Sequence, residues 1–239
     1  MNEFDIKSLL SFRPPTLMCR KCLAIYGNDG ELKQDREGSG VWCSVCNFDF
    51  FEYQEKATYD LELDAPLEHS RNLAEAASEG PPMRALYKTL GHAKSFVHLV
   101  TYGISQMHLG ALKVIAQKVQ VRGIISNADT YLSEEIRDYA AEAPELKLRL
   151  FNQSSSRAER NQPHQKLVVI DGLLAFKGSA NLTLSGWRKA AIGRDVIEVV
   201  TDINSVKNLH NRLFSPIWAE TNPEMRLRFD GVPYWSDKS

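Results

Sequence analysis

Three polar side chains near the middle of the chain have the types and spacing for phosphoryl chemistry. His164 and Lys166 are two positions apart, so in a β-strand they point to the same face. Asn181 follows a Gly-Ser turn, and we expect that turn to bring it back beside them. An imidazole can attack phosphorus or transfer a proton, and an ammonium and an amide can hold the non-bridging oxygens. The trio therefore predicts cleavage of a phosphate diester.

A β-hairpin is the element that must position these groups. Residues 167–170 and 173–176 are short apolar runs of the kind that forms buried strands. The Asp171-Gly172 pair between them is a strong hairpin turn signal. We therefore expect a hairpin at the centre of a sheet, with the chemistry at one of its ends.

The complete spacing of this segment, His-x-Lys-x4-Asp-x6-Gly-Ser-x-Asn, is similar to the HKD motif of the phospholipase D superfamily. The resemblance extends over about residues 83–218 and is to the single-motif bacterial endonuclease branch. It implies that His164, Lys166 and Asn181 are catalytic. It also implies that Ser179 contacts substrate, and that Asp171 and Gly178 are structural parts of the motif, with Asp171 fixing the hairpin.

The chain carries one copy of the motif. His92 and Lys94 repeat the His-x-Lys pair, but position 99 is Leu where the aspartate should stand, and no Gly-Ser-x-Asn follows. One histidine cannot attack phosphorus and protonate the leaving oxygen on the opposite face. In single-motif members of the family two protomers pool their motifs, so the resemblance implies an isologous homodimer and a phosphohistidine intermediate. It implies no metal in the chemistry.

The family also supplies a carboxylate from the next strand to orient the histidine. Asp195 and Glu198 lie on opposite faces of a strand predicted over residues 195–200, so only one of them can serve. We favour Asp195, which enters the strand, although the family's usual residue is Glu.

Four arginines flank the motif and are candidates for contacts with substrate phosphates. They are Arg157, Arg160, Arg188 and Arg194. Simple solvation of these arginines is the alternative interpretation.

All four cysteines lie in the first 46 residues. Cys19 and Cys22 are separated by two residues, as are Cys43 and Cys46, and twenty residues lie between the pairs. This spacing is typical of a tetrahedral structural zinc site in a zinc ribbon. Two disulfides and a redox-active Cys-x-x-Cys are the alternatives.

The remaining pattern predicts an α/β fold. Helices over 83–92, 105–117 and 130–142 alternate with strands over 95–101, 119–125 and 146–151, and a helix over 203–219 closes the chain. This order predicts an α/β sandwich around a largely parallel or mixed sheet, as in phospholipase D-like proteins. We divide the chain into an N-terminal helix and ribbon (1–51), an acidic linker with a helix (52–82), a catalytic domain (83–220) and a tail (221–239).

Charge and hydropathy narrow the choice of substrate. Residues 1–80 carry a net charge of −7 and the remainder carries +6, which suits a polyanionic partner. No apolar run approaches the ~20 residues that span a bilayer, and the start lacks a signal-peptide pattern, so we expect a cytoplasmic protein without a membrane partner. DNA hydrolysis, with RNA possible, is the leading hypothesis. Phospholipase or phosphatidyltransferase activity and a non-catalytic nucleic-acid-binding zinc-ribbon protein are the alternatives.

Overall fold

The computed structural model describes residues 12–34, 41–48, 58–127, 130–150 and 163–221. The N-terminal helix, which the sequence predicts over residues 2–12, lies almost entirely outside these ranges. Residues 49–57, residues 151–162 with Arg157 and Arg160, and the residues from 222 onward also lie outside them.

Eleven strands and seven α-helices make up the described part of the chain. The strands are β1 (Leu17–Cys19), β2 (Ile25–Tyr26), β3 (Lys33–Gln34), β4 (Val41–Trp42), β5 (Thr58–Asp60), β6 (Phe96–Thr101), β7 (Gln120–Ile125), β8 (Leu146–Leu150), β9 (Leu167–Ile170), β10 (Leu174–Gly178) and β11 (Ile197–Val200). The helices are α1 (Pro66–Ser78), α2 (Pro82–Gly91), α3 (Gln106–Ile115), α4 (Thr130–Glu142), α5 (Leu184–Ala191), α6 (Ile203–Leu213) and α7 (Ser215–Thr221).

A six-stranded mixed sheet forms the centre of the fold, in the order β11-β10-β9-β6-β7-β8. The pairs β6–β7 and β7–β8 are parallel, and the three pairs that join β6, β9, β10 and β11 are antiparallel. The predicted hairpin is β9–β10, and β9 pairs directly with the central strand β6. The α/β sandwich with a mixed sheet is thus confirmed.

Side chains that alternate along the central strands build one apolar layer on each face of the sheet. Val97 and Leu99 of β6 pack with helices α1 to α5, whereas Phe96 and Val100 pack with α6, α7 and the N-terminal ribbon. Both faces are covered, which explains the nearly continuous apolar sequence of β6 and β9.

The cysteine-bearing segment packs against the second of these faces. Strands β2, β1 and β5 form a small antiparallel sheet, and Met18 and Ile25 enter the same apolar cluster as Phe96. The Asn211 side chain of α6 accepts a hydrogen bond from the Ile25 N–H and donates one to the Ile25 carbonyl, each 2.8 Å long. These two bonds tie the backbone of β2 to helix α6.

Two segments of the predicted linker over 52–82 are built into this body. Strand β5 pairs with β1 through three residue pairs, beginning with Leu17 and Asp60. Helix α1 begins at Pro66 and packs its buried Leu73 into the main apolar cluster. The acidic segment is therefore no free connector over residues 58–78, whereas the division into domains stays a prediction.

The prediction of one helix over residues 203–219 was wrong, because the structure has two helices there. Helix α6 ends at Leu213 and α7 begins at Ser215. Pro216 explains the break, because proline has no N–H and is favoured in the first turn of a helix rather than in its interior.

Two buried histidines join the sheet to α6. The Nδ1 atom of His98 in β6 lies 2.8 Å from Nε2 of His210, and Gln120 of β7 binds His98 from the other side at 3.0 Å. Burial lowers the pKa of His98 well below its ordinary value and that of His210 to about 4, so both rings are neutral at pH 7. His69 and His108 are also buried, and His92 ends α2.

The turn of the hairpin is fixed by the fully buried Asp171. Asp171 and Gly172 both have positive φ (54° and 66°), and the Leu173 N–H donates to the Ile170 carbonyl at 3.0 Å, so these two residues are the central pair of a tight turn in a three-residue connection. The Asp171 carboxylate accepts hydrogen bonds from the backbone N–H groups of Lys94, Ser95 and Phe96 at 2.8–2.9 Å. It is also 2.7 Å from Nε2 of His69 in α1. One side chain thus ties the hairpin turn to the start of β6 and to α1.

We expect Asp171→Asn to lower the free energy of unfolding by about 1–3 kcal/mol, because it leaves a buried donor without its acceptor. An amide offers one acceptor oxygen where the carboxylate has two, so its NH₂ group would face a backbone N–H or the His69 ring. Urea unfolding measures the change. Asp138→Asn, at an exposed position on α4, is the matched control. Equal stability of the two variants would refute the anchoring role.

Candidate active site

Three of the motif residues, His164, Lys166 and Asn181, lie at the end of the sheet where β6 and β7 finish, whereas Asp171 lies at the opposite end. Because β9 runs antiparallel to β6, the residues that precede β9 reach the carboxyl end of β6. The segment after Asn181 is held there too, since the Leu182 N–H donates to Thr101 Oγ1 (2.9 Å) and the Ser105 N–H donates to the Leu182 carbonyl (3.0 Å). Ligands bind at this edge in many open α/β sheets.

His164 and Lys166 lie together on the same side of this edge. The exposed His164 ring stacks on the ring of Tyr102, with centroids 5.0 Å apart and planes inclined by 10°. Lys166 donates a hydrogen bond to the His164 carbonyl, and its Nζ lies 5.9 Å from the centre of the Tyr102 ring. Partial burial lowers the pKa of Lys166, and the Asp195 carboxylate opposes that shift. The structure thus brings the predicted base and the predicted cation together.

Tyr102 is a site residue that the sequence argument missed. It follows β6 directly and so lies at the same sheet edge as the motif. Its ring supports the His164 imidazole from one face and limits the orientations of that ring. Its position one residue after a central strand was the available signal.

Asn181, the residue before Leu182, lies at the same edge. Its side-chain oxygen is buried and has no hydrogen-bond partner among the described residues. Its backbone carbonyl accepts from the Thr183 N–H at 2.7 Å, and Thr183 then caps α5 by accepting from the Gly186 N–H at 3.1 Å. Helix α5, which the sequence analysis did not predict, therefore fixes the position of Asn181.

Gly178 and Ser179 hold the next strand against the hairpin. A Cβ atom on Gly178 would lie 1.9 Å from the Val196 carbonyl oxygen, so only glycine permits this approach of the chains. The Ser179 hydroxyl donates to Asp195 Oδ1 and accepts from the Val196 N–H at 3.0 Å. Ser179, predicted to contact substrate, is thus bonded within the protein here.

The two candidate carboxylates have different surroundings. Asp195 is bonded to Ser179 and lies close enough to Lys166 to affect its pKa. Glu198 forms an ion pair with Lys177, its partner in the β10–β11 register, at 3.1 Å. Neither carboxylate is hydrogen-bonded to the His164 ring within the portion of the chain that the structure describes. Asp195 is therefore the carboxylate that is in electrostatic contact with the motif lysine.

Sequence comparison identifies the family to which these residues belong. The family model described as "Cardiolipin synthase, PLD-like domain" matches residues 86–218, which is more than half of the chain. The chain belongs to the phospholipase D-like family. No curated protein shows a significant match to it. The matched region runs from α2 to α7 and contains the whole of the motif hairpin.

Three solved structures resemble the phospholipase D-like chain weakly. The phospholipase D family member Nuc from Salmonella typhimurium is 17% identical over 60% of this chain and 88% of its own, with a TM-score of 0.46. NucT from Helicobacter pylori is 18% identical over 66% of this chain and 91% of its own, with a TM-score of 0.39. The archaeal chromatin protein TrmBL2 is 16% identical over 57% of this chain and 48% of its own, with a TM-score of 0.38.

The predicted arginines fall into two groups. Arg188 is exposed on α5, and Arg194 is exposed in the loop that leads to β11. Arg157 and Arg160 lie outside the described residues. Trp187, beside Arg188, is 3% exposed and packs in the apolar core of the phospholipase D-like domain.

The four cysteines form a compact cluster in the ribbon. Their sulfur atoms all lie within 4.8 Å of one another, with Cys19 to Cys46 at 3.7 Å and Cys22 to Cys43 at 3.5 Å. Four thiolates bound tetrahedrally at about 2.3 Å would have sulfur–sulfur distances of roughly 3.8 Å, so the donor set fits a single zinc-like ion.

Both Cys-x2-Cys turns have the same backbone geometry. The residue after the second cysteine has positive φ in each, at Leu23 (62°) and Asn47 (55°). Each of these residues donates its N–H to the carbonyl of the first cysteine in its turn, at 3.0 Å and 2.9 Å. The two turns therefore present their thiols as equivalent halves of one site.

Proposed function

We propose that this phospholipase D-like protein is a phosphodiesterase that hydrolyses DNA, and that RNA is an alternative polymer. The observation that carries the proposal is the convergence of His164, Lys166 and Asn181 at one edge of the sheet. These are a nucleophile, a fixed cation and an amide donor, the groups that a dianionic transition state at phosphorus requires.

The proposed reaction proceeds in two displacements. A nitrogen of the His164 imidazole attacks phosphorus and forms a P–N bond, while the bond to the leaving alcohol oxygen breaks. That oxygen takes a proton from His164 of a second protomer. Water then attacks the phosphohistidine, the second protomer's His164 accepts the water's proton, and the P–N bond breaks. Lys166 and Asn181 hold the non-bridging oxygens throughout, and no step uses a metal ion.

Asp195 is the proposed positioning residue, in preference to Glu198. Asp195 accepts a hydrogen bond from Ser179, and its carboxylate raises the pKa of Lys166 against the effect of burial. Its negative charge is therefore close to the edge where a transient imidazolium would form. Glu198 is already neutralised by Lys177.

Several features favour a nucleic-acid polymer over a lipid. The chain after residue 80 carries a net charge of +6. The part of the chain that the structure describes contains no helix long and apolar enough to cross a membrane. Phospholipid chemistry is the second candidate, because the description of the matching family model names cardiolipin synthase.

We expect His164→Ala to reduce the cleavage rate by about 10³-fold or more, because it removes both the nucleophile and the proton donor. The assay compares plasmid, single-stranded DNA, RNA and phospholipid as substrates. His92→Ala is the matched control, because His92 belongs to the second His-x-Lys pair and lies at the end of α2. Cleavage that survives in His164→Ala, or hydrolysis of phospholipid alone, would contradict the proposal.

The same assay in excess EDTA separates this chemistry from metal-assisted hydrolysis. The zinc content of the protein is measured after the treatment, so that loss of a structural ion is not mistaken for loss of a catalytic one. Activity that returns only with magnesium would reject the histidine mechanism.

The proposed second protomer needs a surface next to the site. Ile192 and Val196 are large hydrophobic residues with 67% and 61% of their surface exposed, and they flank Asp195 and the open edge strand β11. Exposed apolar side chains at such a position are common in protein–protein contacts. We propose that this surface brings the two motifs together.

Val196→Asp should convert a dimer to a monomer and should abolish cleavage, because a charge would be buried in the contact. Light scattering measures the mass, and plasmid cleavage measures the activity. Val114→Asp is the control, since Val114 is 64% exposed but lies near the far end of α3. An active monomer would exclude the shared site.

The cysteine cluster is proposed to bind one structural zinc ion. Four thiolates fill its coordination sphere, so the ion would stabilise the ribbon without an open position for chemistry. The O–H of Tyr26 lies 2.9 Å from Cys43 Sγ, which would help to stabilise that sulfur as a thiolate.

Purified protein should contain one zinc ion per chain, and Cys43→Ser should remove it and destabilise the ribbon. Native mass spectrometry measures the metal, and urea unfolding measures the stability. Lys21→Ala, a change inside the first Cys-x2-Cys turn that removes no ligand, is the control. A metal-free chain lighter by the hydrogens of its four thiols would indicate two disulfides instead.

A further inference from the structure

A cavity of about 500 Å³ lies between α2 and α5, outside the catalytic edge. This volume is in the range of sites that hold a nucleotide-sized ligand. Its walls are formed largely by apolar and aromatic groups, including Met83, Tyr87 and Trp187. Such a surface suits a flat ring rather than a hydrated ion.

The rim of the cavity is cationic. Arg84 and Lys88 lie one turn apart on α2, and Arg188 faces them from α5. Lys88 is paired with Glu79, whereas no ion pair joins Arg84 or Arg188 to another described residue. None of the described side chains that line the cavity is acidic. Two guanidinium groups that have no ion-pair partner among the described residues, above an aromatic floor, are complementary to an anion attached to a ring.

The wall of the cavity also contains unsatisfied polar atoms. Tyr87 Oη and Trp187 Nε1 are buried and have no hydrogen-bond partner among the described residues. Behind them, His108 packs between the two rings, with centroids 5.6 Å and 6.1 Å away. Burial lowers the pKa of His108 to about 4, so it is neutral at pH 7 and the net positive charge of the cavity comes from its rim.

The cavity is close to the catalytic edge. Trp187 lines both the cavity and a small hollow bounded by Lys166 and Gly178. Helix α5, which supplies Trp187 and Arg188, begins three residues after Asn181 and packs its Gly186 on the Asn181 backbone. The cavity and the hollow beside Lys166 therefore share the Trp187 side chain as a wall.

We propose that this cavity is a base-binding subsite for a single-stranded segment of nucleic acid, a proposal that rests on the proposed nuclease function. One unpaired base lies against Tyr87 and Met83, and the adjoining phosphates bind Arg84 and Arg188. Base stacking on aromatic side chains combined with arginine contacts to the backbone is the general mode of single-strand binding. The subsite thus favours substrates with an unpaired base near the scissile bond over continuous duplex.

The test measures binding of a fluorescent single-stranded oligonucleotide to His164→Ala protein, which does not consume it. Arg84→Ala with Arg188→Ala should weaken binding by about tenfold or more, since both phosphate contacts and base positioning are lost. Arg137→Ala with Lys147→Ala removes the same charge from exposed positions on α4 and β8 and is the control. Equal weakening in both double variants would reduce the effect to net charge and would overturn the proposal.

Two further measurements test for the base itself. An oligonucleotide with abasic sites should bind about tenfold more weakly than the intact strand, and Ala191→Trp, which fills the cavity, should remove this difference. If the abasic strand binds equally well, the subsite does not hold a base. If the cavity variants impair binding to anionic phospholipid vesicles and leave the oligonucleotide unaffected, the cavity belongs to a lipid and the proposal is wrong.

The cleavage assay separates failure of the subsite from failure of the nuclease function. Cleavage that depends on His164, together with cavity variants that bind like their controls, rejects the subsite alone. Absence of cleavage of any nucleic acid rejects the nuclease function. A selective binding defect of the cavity variants in that case still supports a nucleic-acid site.

Discussion

The position of the β9–β10 hairpin depends on the hydrogen bonds that the Asp171 carboxylate accepts. This carboxylate is fully buried, so it would destabilise the fold if its charge were not met by donors. Three consecutive backbone N–H groups at the start of β6 and the His69 ring meet it. These bonds fix the turn of the hairpin relative to β6. Because β9 is only four residues long, fixing its turn end also fixes its other end, where His164 and Lys166 meet Tyr102.

The motif residues therefore divide by position along the hairpin. Asp171 acts at the turn, far from the catalytic edge, and has no bonding capacity left for a substrate. Gly178 and Ser179 act between the hairpin and β11, where a side chain larger than hydrogen would clash with the Val196 carbonyl. His164, Lys166 and Asn181 act at the other end, where Lys166 is bonded to the His164 carbonyl and the Asn181 side-chain oxygen has no partner among the described residues. The motif thus contains two kinds of residue. Asp171, Gly178 and Ser179 fix the strands, and the other three are the ones proposed to act on the substrate.

The sequence predicted the elements whose signal is local. Strand β9 and helix α4 were predicted with the bounds that the structure has, and the other predicted strands and helices of the central sheet region differ mostly by one to three residues. Helix α5 was missed because its eight residues include glycine and serine, although Thr183 before it is a good N-cap. The pairing of β5 with β1 was missed because it joins residues about forty positions apart, which no local pattern records. The stacking of Tyr102 on His164 and the cavity between α2 and α5 depend on tertiary contacts of the same non-local kind.

The same central strand connects the ribbon to the catalytic edge. His98 of β6 binds His210, His210 lies 3.2 Å from Asn211, and Asn211 holds both backbone groups of Ile25 in the ribbon. On the rim of this junction, Lys207 of α6 pairs with Glu31 at 2.8 Å. Neutral histidines allow the chain of bonds to cross the apolar layer without an unpaired buried charge. A folded ribbon thereby covers the face of β6 opposite α1 to α5, and β6 in turn carries Tyr102 at its end. An ion bound by the cysteines would therefore stabilise the face of β6 that leads to Tyr102 and His164, without lying at the edge where those two rings stack.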